Sequence, residues 1–96
     1  MASNFKISVH RNSDNLELKL TGDFDGTSAC ELLNVLKENS DDVARVLVNT
    51  SGLKDVYPFG RDTFQNRLYL LKGRSFRLLF TGENATRIAP ERNKFF

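Results

Sequence analysis

From Phe5 to Phe80 the spacing of the apolar residues changes from one stretch to the next, and those changes allow few architectures. Phe5, Ile7 and Val9 alternate with polar residues, and Leu16, Leu18 and Leu20 do the same with Glu17, Lys19 and Thr21 between or beside them. A period of two marks a strand with one face buried. The link RNSDN is rich in turn formers, so the two strands predict a β-hairpin. Ala29, Leu32, Leu33 and Leu36 then fall at i, i+3, i+4 and i+7, the apolar face of a helix. Ser28 and Glu31 have capping-box spacing, and Asp25 or Thr27 are further candidate caps. Asn39, Ser40, Asp41 and Asp42 end the helix.

The next run, ARVLV at 44–48, is nearly continuous in apolar residues, which predicts a strand buried on both faces in a sheet covered by helices. The segment NTSGLKDV reads as a loop. Phe64, Leu68 and Leu71 predict a second amphipathic helix over about 59–71, with Gly60 near its start and Gly73 just past its end. SFRLLF at 75–80 reads as another buried strand, and 83–88 as a short helix interrupted by Pro90. The tail ERNKFF is basic, then aromatic. The order β-β-α-β-α-β-α predicts an α/β fold, a mixed and mostly parallel sheet with helices packed against it. At 96 residues the chain suits a single domain spanning 1–96.

Composition narrows the chemistry. Cys30 is the only cysteine and His10 the only histidine. No internal disulfide or cysteine-based metal cluster can form, and most nucleophile–histidine mechanisms lack a partner. Neither G-x-x-x-x-G-K-[ST] nor G-x-G-x-x-G occurs, so the usual nucleotide apparatus is missing. Asp23 and Asp25 could share a metal, but the reading preferred is that one faces solvent and the other caps the helix. Thr50, Ser51 and Gly52 read as a turn, His10 as an edge residue, and Cys30 as a small hydrophobe beside the helix stripe. No metal, cofactor or enzymatic activity is expected. The longest apolar runs are far short of the roughly 20 residues that span a bilayer, and MASNFKIS shows no secretion signal, so a cytoplasmic location and no membrane span are expected.

The net charge of +2 is too small to argue for nucleic acid, but its distribution is uneven. Lys and Arg against Asp and Glu number 5 and 8 in residues 1–48, and 9 and 4 in residues 49–96. Arg61, Arg67, Lys72, Arg74 and Arg77 lie close together in sequence. They suit an acidic partner or a phosphate, but an ordinary solvated helix face and loop is the preferred reading.

One stretch stands apart. Residues 56–64 read VYPFGRDTF, a passage from strand to helix. In open α/β folds that junction is where ligands and phosphates dock. Such a mouth normally offers a hydroxyl, a thiol or a run of glycines, whereas this one offers Tyr57 and Phe59. Exposed Tyr and Phe beside Arg61 are the residue types that anchor protein interfaces. The same rings would also serve as core under the helix, and both readings stand at this point.

The stretch TGDFDGTSACELLNVL resembles the opening of STAS domains, the bacterial anti-sigma factor antagonists, which read G-x-[LF]-D, then a small polar pair, then an amphipathic helix. The matching residues are Gly22, Phe24, Asp25, Thr27 and Ala29. VLVNTSGL, with Ser51, Gly52 and Leu53, is similar to the family's buried strand and S-G-[LV] turn. RLLFTGENATRIA is similar to its fourth strand and last short helix. The resemblance runs from about Phe5 to Ile88, and its element order is the one the periodicity predicts.

That resemblance implies a regulatory protein–protein interaction domain whose partner is a regulatory protein such as a kinase-type anti-sigma factor. It also implies a switch serine at the start of the second helix, in a motif D-S-S-G-L, whose phosphorylation blocks binding. Here Gly60 matches the glycine, Tyr57 stands at the aspartate, Pro58 at the first serine, Phe59 at the switch serine and Arg61 at the leucine. The phosphate acceptor is gone, so binding is expected to be independent of phosphorylation there or controlled at another hydroxyl, Thr63 or Ser51. The expected partner surface comprises Asp25, Thr27, Ser28, Tyr57, Pro58, Phe59, Gly60 and Arg61. The alternative is a STAS module for a small ligand (a nucleotide, lipid or anion) or a subunit of a transport complex.

Overall fold

The computed structural model describes residues 4–71, 73 and 76–89. Strands β1 (Lys6–Asn12) and β2 (Asn15–Phe24) form the hairpin, followed by α1 (Gly26–Asn39), β3 (Arg45–Val56), α2 (Pro58–Arg67), a 3-10 turn (Leu68–Leu71), β4 (Arg77–Thr81) and α3 (Ala85–Ile88). The sheet order is β1-β2-β3-β4. The β1–β2 pair is antiparallel and the next two pairs are parallel. This is the mixed, mostly parallel α/β sheet that the periodicity predicts. Lys72, Arg74, Ser75, Pro90 and the ERNKFF tail lie outside the described residues. Among the described residues no helix is long and apolar enough to cross a membrane.

The hairpin closes through Ser13, which holds a left-handed φ of 59°, and Asn12 faces Asn15 across it. The Asp14 carbonyl accepts from Ala44 N at 2.7 Å, which ties this turn to the start of β3. At the other end of β1, Phe5 is buried and Ile7 half-buried, but Val9 is 45% exposed. The edge strand therefore leaves the core partway along its length.

Two expectations about the strands fail for related reasons. Among the described residues the sheet is covered on one face only. Leu16, Leu18, Leu20, Val46, Val48 and Leu78 are buried beneath the helices, whereas Arg45, Arg77 and Leu79 on the other face are exposed. The ARVLV and RLLF runs thus alternate in burial and are not buried on both faces. The NTSGLKDV segment is not a loop: β3 continues through it and pairs with β2 as far as Phe24 and Val56. Twice along that pairing, between Lys19/Thr21 and Gly22/Asp23, β3 holds one residue more than β2. Such bulges bend a strand and rotate its side chains. Thr50 and Leu53 are both buried as a result, and the Thr50 hydroxyl donates to the Thr81 carbonyl at 2.7 Å.

The core sits between this face and the helices. Ala29, Leu32, Leu33 and Leu36 of α1 are buried, as their spacing predicts, and Phe64, Leu68 and Leu71 supply the α2 side. The predicted second helix is α-helical only to Arg67, and its last four residues tighten into the 3-10 turn. This is a common way for a helix end to satisfy its last carbonyls. Gln65 ties this helix to the end of α3: its side-chain Nε2 donates to the Ile88 and Ala89 carbonyls, each at 3.1 Å.

Candidate functional site

The starts of α1 and α2 come together at the upper end of the β2–β3 pair. Tyr57 N donates to the Phe24 carbonyl at 3.0 Å, extending that ladder by one bond. Pro58 follows as the first residue of α2, where its missing N–H costs nothing. Gly60 is buried against the Phe24–Asp25 backbone. A Cβ there would lie 2.6 Å from the Phe24 carbonyl oxygen and 2.8 Å from Asp25 Cα. Only glycine lets the two helix starts approach this closely. Its match to the glycine of the family motif therefore has a local steric reason.

At α1 the cap falls to Asp25, not to a Ser28–Glu31 box or to Thr27. Asp25 Oδ1 accepts from Ser28 N at 2.9 Å. The Ser28 hydroxyl lies 2.9 Å from both Asp25 Oδ1 and the Asp23 carbonyl, and the residue is buried. Ser28 therefore braces the helix start and offers nothing to a partner. Asp23 does not simply face solvent, since its Oδ1 is buried with no hydrogen-bond partner. Among the described residues no group of three or more His, Cys, Asp or Glu side chains could hold a metal.

Phe59 is 74% exposed and Tyr57 46% exposed, so neither ring is core. The Phe59 ring stands over Gly26, where a Cβ would come within 2.8 Å of Phe59 Cε2. Beside it opens a groove of about 440 Å³ between α1 and α2. Gly26, Thr27 and Cys30 line one wall; Phe59, Thr63 and Arg67 line the other, and Asp25 closes the end. The structure thus gathers Asp25, Thr27, Phe59 and Thr63 from the expected site. Tyr57, Pro58, Gly60 and Arg61 shape or flank it without lining it. Ser51 lies elsewhere, on β3, where its N–H and hydroxyl both donate to Asn49 Oδ1.

Among the described residues, the three members of the basic run do not form one surface. Arg61 pairs with its neighbour Asp62 at 3.1 Å, Arg67 lies in the groove, and Arg77 is on the open face of the sheet. The sequence reading missed Gly26, Cys30 and Arg67 as site residues. The available signal was helical spacing: Phe59, Thr63 and Arg67 fall at i, i+4 and i+8, which is one stripe of α2. Cys30 is half-buried and not a core hydrophobe, and Arg67 Nη1 approaches its sulfur at 3.8 Å.

No protein-family model matches the sequence, and no curated protein does. Solved structures do. One described as a crystal structure analysis of Mglu aligns over 88% of this chain with a TM-score of 0.67 and 21% identity. A second, of Mglu in its native form, aligns over 78% with a TM-score of 0.64 and 16% identity. The chain spans only 20% and 23% of those two proteins. A third, an uncharacterized protein of the DUF3478 family with a SpoIIAA-like fold from Shewanella loihica PV-4, aligns over 91% of this chain and 75% of its own. Its TM-score is 0.57 and its identity 18%. The fold is SpoIIAA-like, the STAS fold of anti-sigma factor antagonists, as the sequence resemblance implies.

Proposed function

We propose that this chain is a non-enzymatic interaction domain that docks a regulatory protein, of the anti-sigma-factor-antagonist kind, on the surface where α1 and α2 begin. The observation that carries this reading is Phe59, a large ring left 74% exposed on a rigid helix start. Exposed aromatics held by packed backbone are the usual anchors of interfaces, because they bury much area for little lost side-chain freedom. Docking there is independent of phosphorylation at the switch position, since Phe59 offers no hydroxyl. Any hydroxyl control falls to Thr63, which lines the groove, in preference to Ser51 on the sheet.

Capture of partner protein from native lysate, with wild-type and Phe59→Asp baits side by side, tests this. A charge at the anchor is costly to bury, so the variant is expected to recover at most about a tenth of the partner. Equal recovery by the two baits would remove the reading. The groove also supports a second reading, a module for a small anionic ligand held by Arg67. That reading requires a rise in melting temperature with nucleotides or anionic lipids, because a ligand that binds only the folded state stabilises it.

A further inference from the structure

The groove is unevenly charged. Arg67 is exposed, and among the described residues its side chain meets one partner, the Cys30 sulfur at 3.8 Å. A thiol is a weak acceptor, so most of the five guanidinium donors are left to water. Arg61, by contrast, has Asp62 at 3.1 Å. At the other end of the groove the Asp25 carboxylate already caps α1. Between the two ends stand Thr27, Thr63 and Cys30, all neutral and small. The α2 wall therefore presents an apolar ring, a hydroxyl and an unneutralised guanidinium in a row. Eight residues at helical rise put Phe59 and Arg67 about 12 Å apart along the axis.

Both walls are helical and neither is a sheet edge; the open backbone groups beside the groove are N–H donors of a first helical turn, at Gly26 and Thr27. A strand laid in the groove would find no sheet edge to accept its N–H groups. A helix brings no such unpaired groups, and its side chains repeat at the same rise as the wall. A guanidinium fork is matched best by a carboxylate. We infer that the partner enters this groove with an amphipathic helix that sets an apolar side chain on Phe59 and, about seven or eight residues along, an Asp or Glu on Arg67. This rests on the docking reading above and specifies the partner's chemistry. Tyr69 and Leu70, 65% and 47% exposed in the 3-10 turn, are the next exposed apolar side chains after Arg67 along the chain.

A phage-displayed library of randomised amphipathic helices, selected on the intact chain and counter-selected on its Phe59→Asp variant, tests this. Surviving peptides are expected to carry an acidic residue at that spacing from an apolar one. They should bind Arg67→Glu about tenfold more weakly than wild type. Exchanging the peptide's acid for Lys should restore binding to Arg67→Glu. The Arg67→Gln variant should lose most of the salt dependence of binding. Circular dichroism melts matching wild type show that each variant keeps its fold, and Arg67→Gln carries the test if Arg67→Glu does not. Survivors without the acidic position, or with equal affinity for the Arg67 variants, overturn the inference and leave docking at Phe59 intact. A library yielding no peptide that separates wild type from Phe59→Asp overturns both.

Discussion

At the scale of single residues, the site is made by what is small as much as by what is large. Gly60 lets α2 begin against the backbone at the end of β2, and Gly26 leaves room for the Phe59 ring. The two glycines differ in what a methyl group would strike. At Gly60 it would strike backbone, which cannot yield; at Gly26 it would strike the far end of a ring, which can turn aside. Gly26→Ala should therefore leave stability unchanged or raise it by up to about 1 kcal/mol, since Ala is the better helix former. The same change displaces Phe59 from its seat and should weaken partner or peptide binding. Urea unfolding and a binding titration on the one variant check both halves. Weakened stability with unchanged binding would show that the ring's seat does not matter to docking.

Elements were legible where one pattern served one environment. The hairpin, α1 and the body of α2 follow directly from alternation and helical spacing. The failures lie where a strand does something irregular or half-buried. Thr50, Ser51 and Gly52 are turn formers by composition, yet the bulged β3 holds them in the sheet, because the Thr50 hydroxyl and the Asn84 side chain satisfy its far side. ARVLV and RLLF looked buried on both faces because Leu47 and Leu79, on the open face, are as apolar as their inward neighbours. That face has its own electrostatics. Arg45 and Arg77 stand in register on neighbouring parallel strands and both are exposed. Like charges so placed repel, and an opposite pair contributes roughly 0.2–1 kcal/mol. Arg77→Glu should raise the urea midpoint at low salt, and the gain should shrink at 1 M salt, where the screening length falls to about 3 Å. A gain that ignores salt would mean that the repulsion is not its source.

For the molecule as a whole, the question is whether binding and stability rest on the same residues. Among the described residues, four rings meet edge to face in the interior: Phe5 and Phe24 at 5.9 Å, Phe24 and Phe64 at 6.4 Å, Phe64 and Phe80 at 5.9 Å. They join the start of the hairpin, β2, α2 and β4, so this one chain of contacts spans the sheet beneath the helices. Phe64 makes two of the three contacts and is fully buried. Phe59, five residues earlier on the same helix, is turned outward. Phe64→Ala should cost about 3–5 kcal/mol by lost burial and the cavity left behind. Against a usual total of about 5–15 kcal/mol, that is enough to threaten the fold. Phe59→Ala should stay within about 0.5 kcal/mol of wild type, as surface changes do, while removing the anchor for a partner. Chemical denaturation of the two variants decides the matter. If Phe59→Ala destabilised the chain as Phe64→Ala does, the outward ring would be structural, and the surface that carries the docking proposal would lose its anchor. If only Phe64→Ala does so, α2 divides its two aromatic faces between folding and recognition, and the surface can change its partner without disturbing the core.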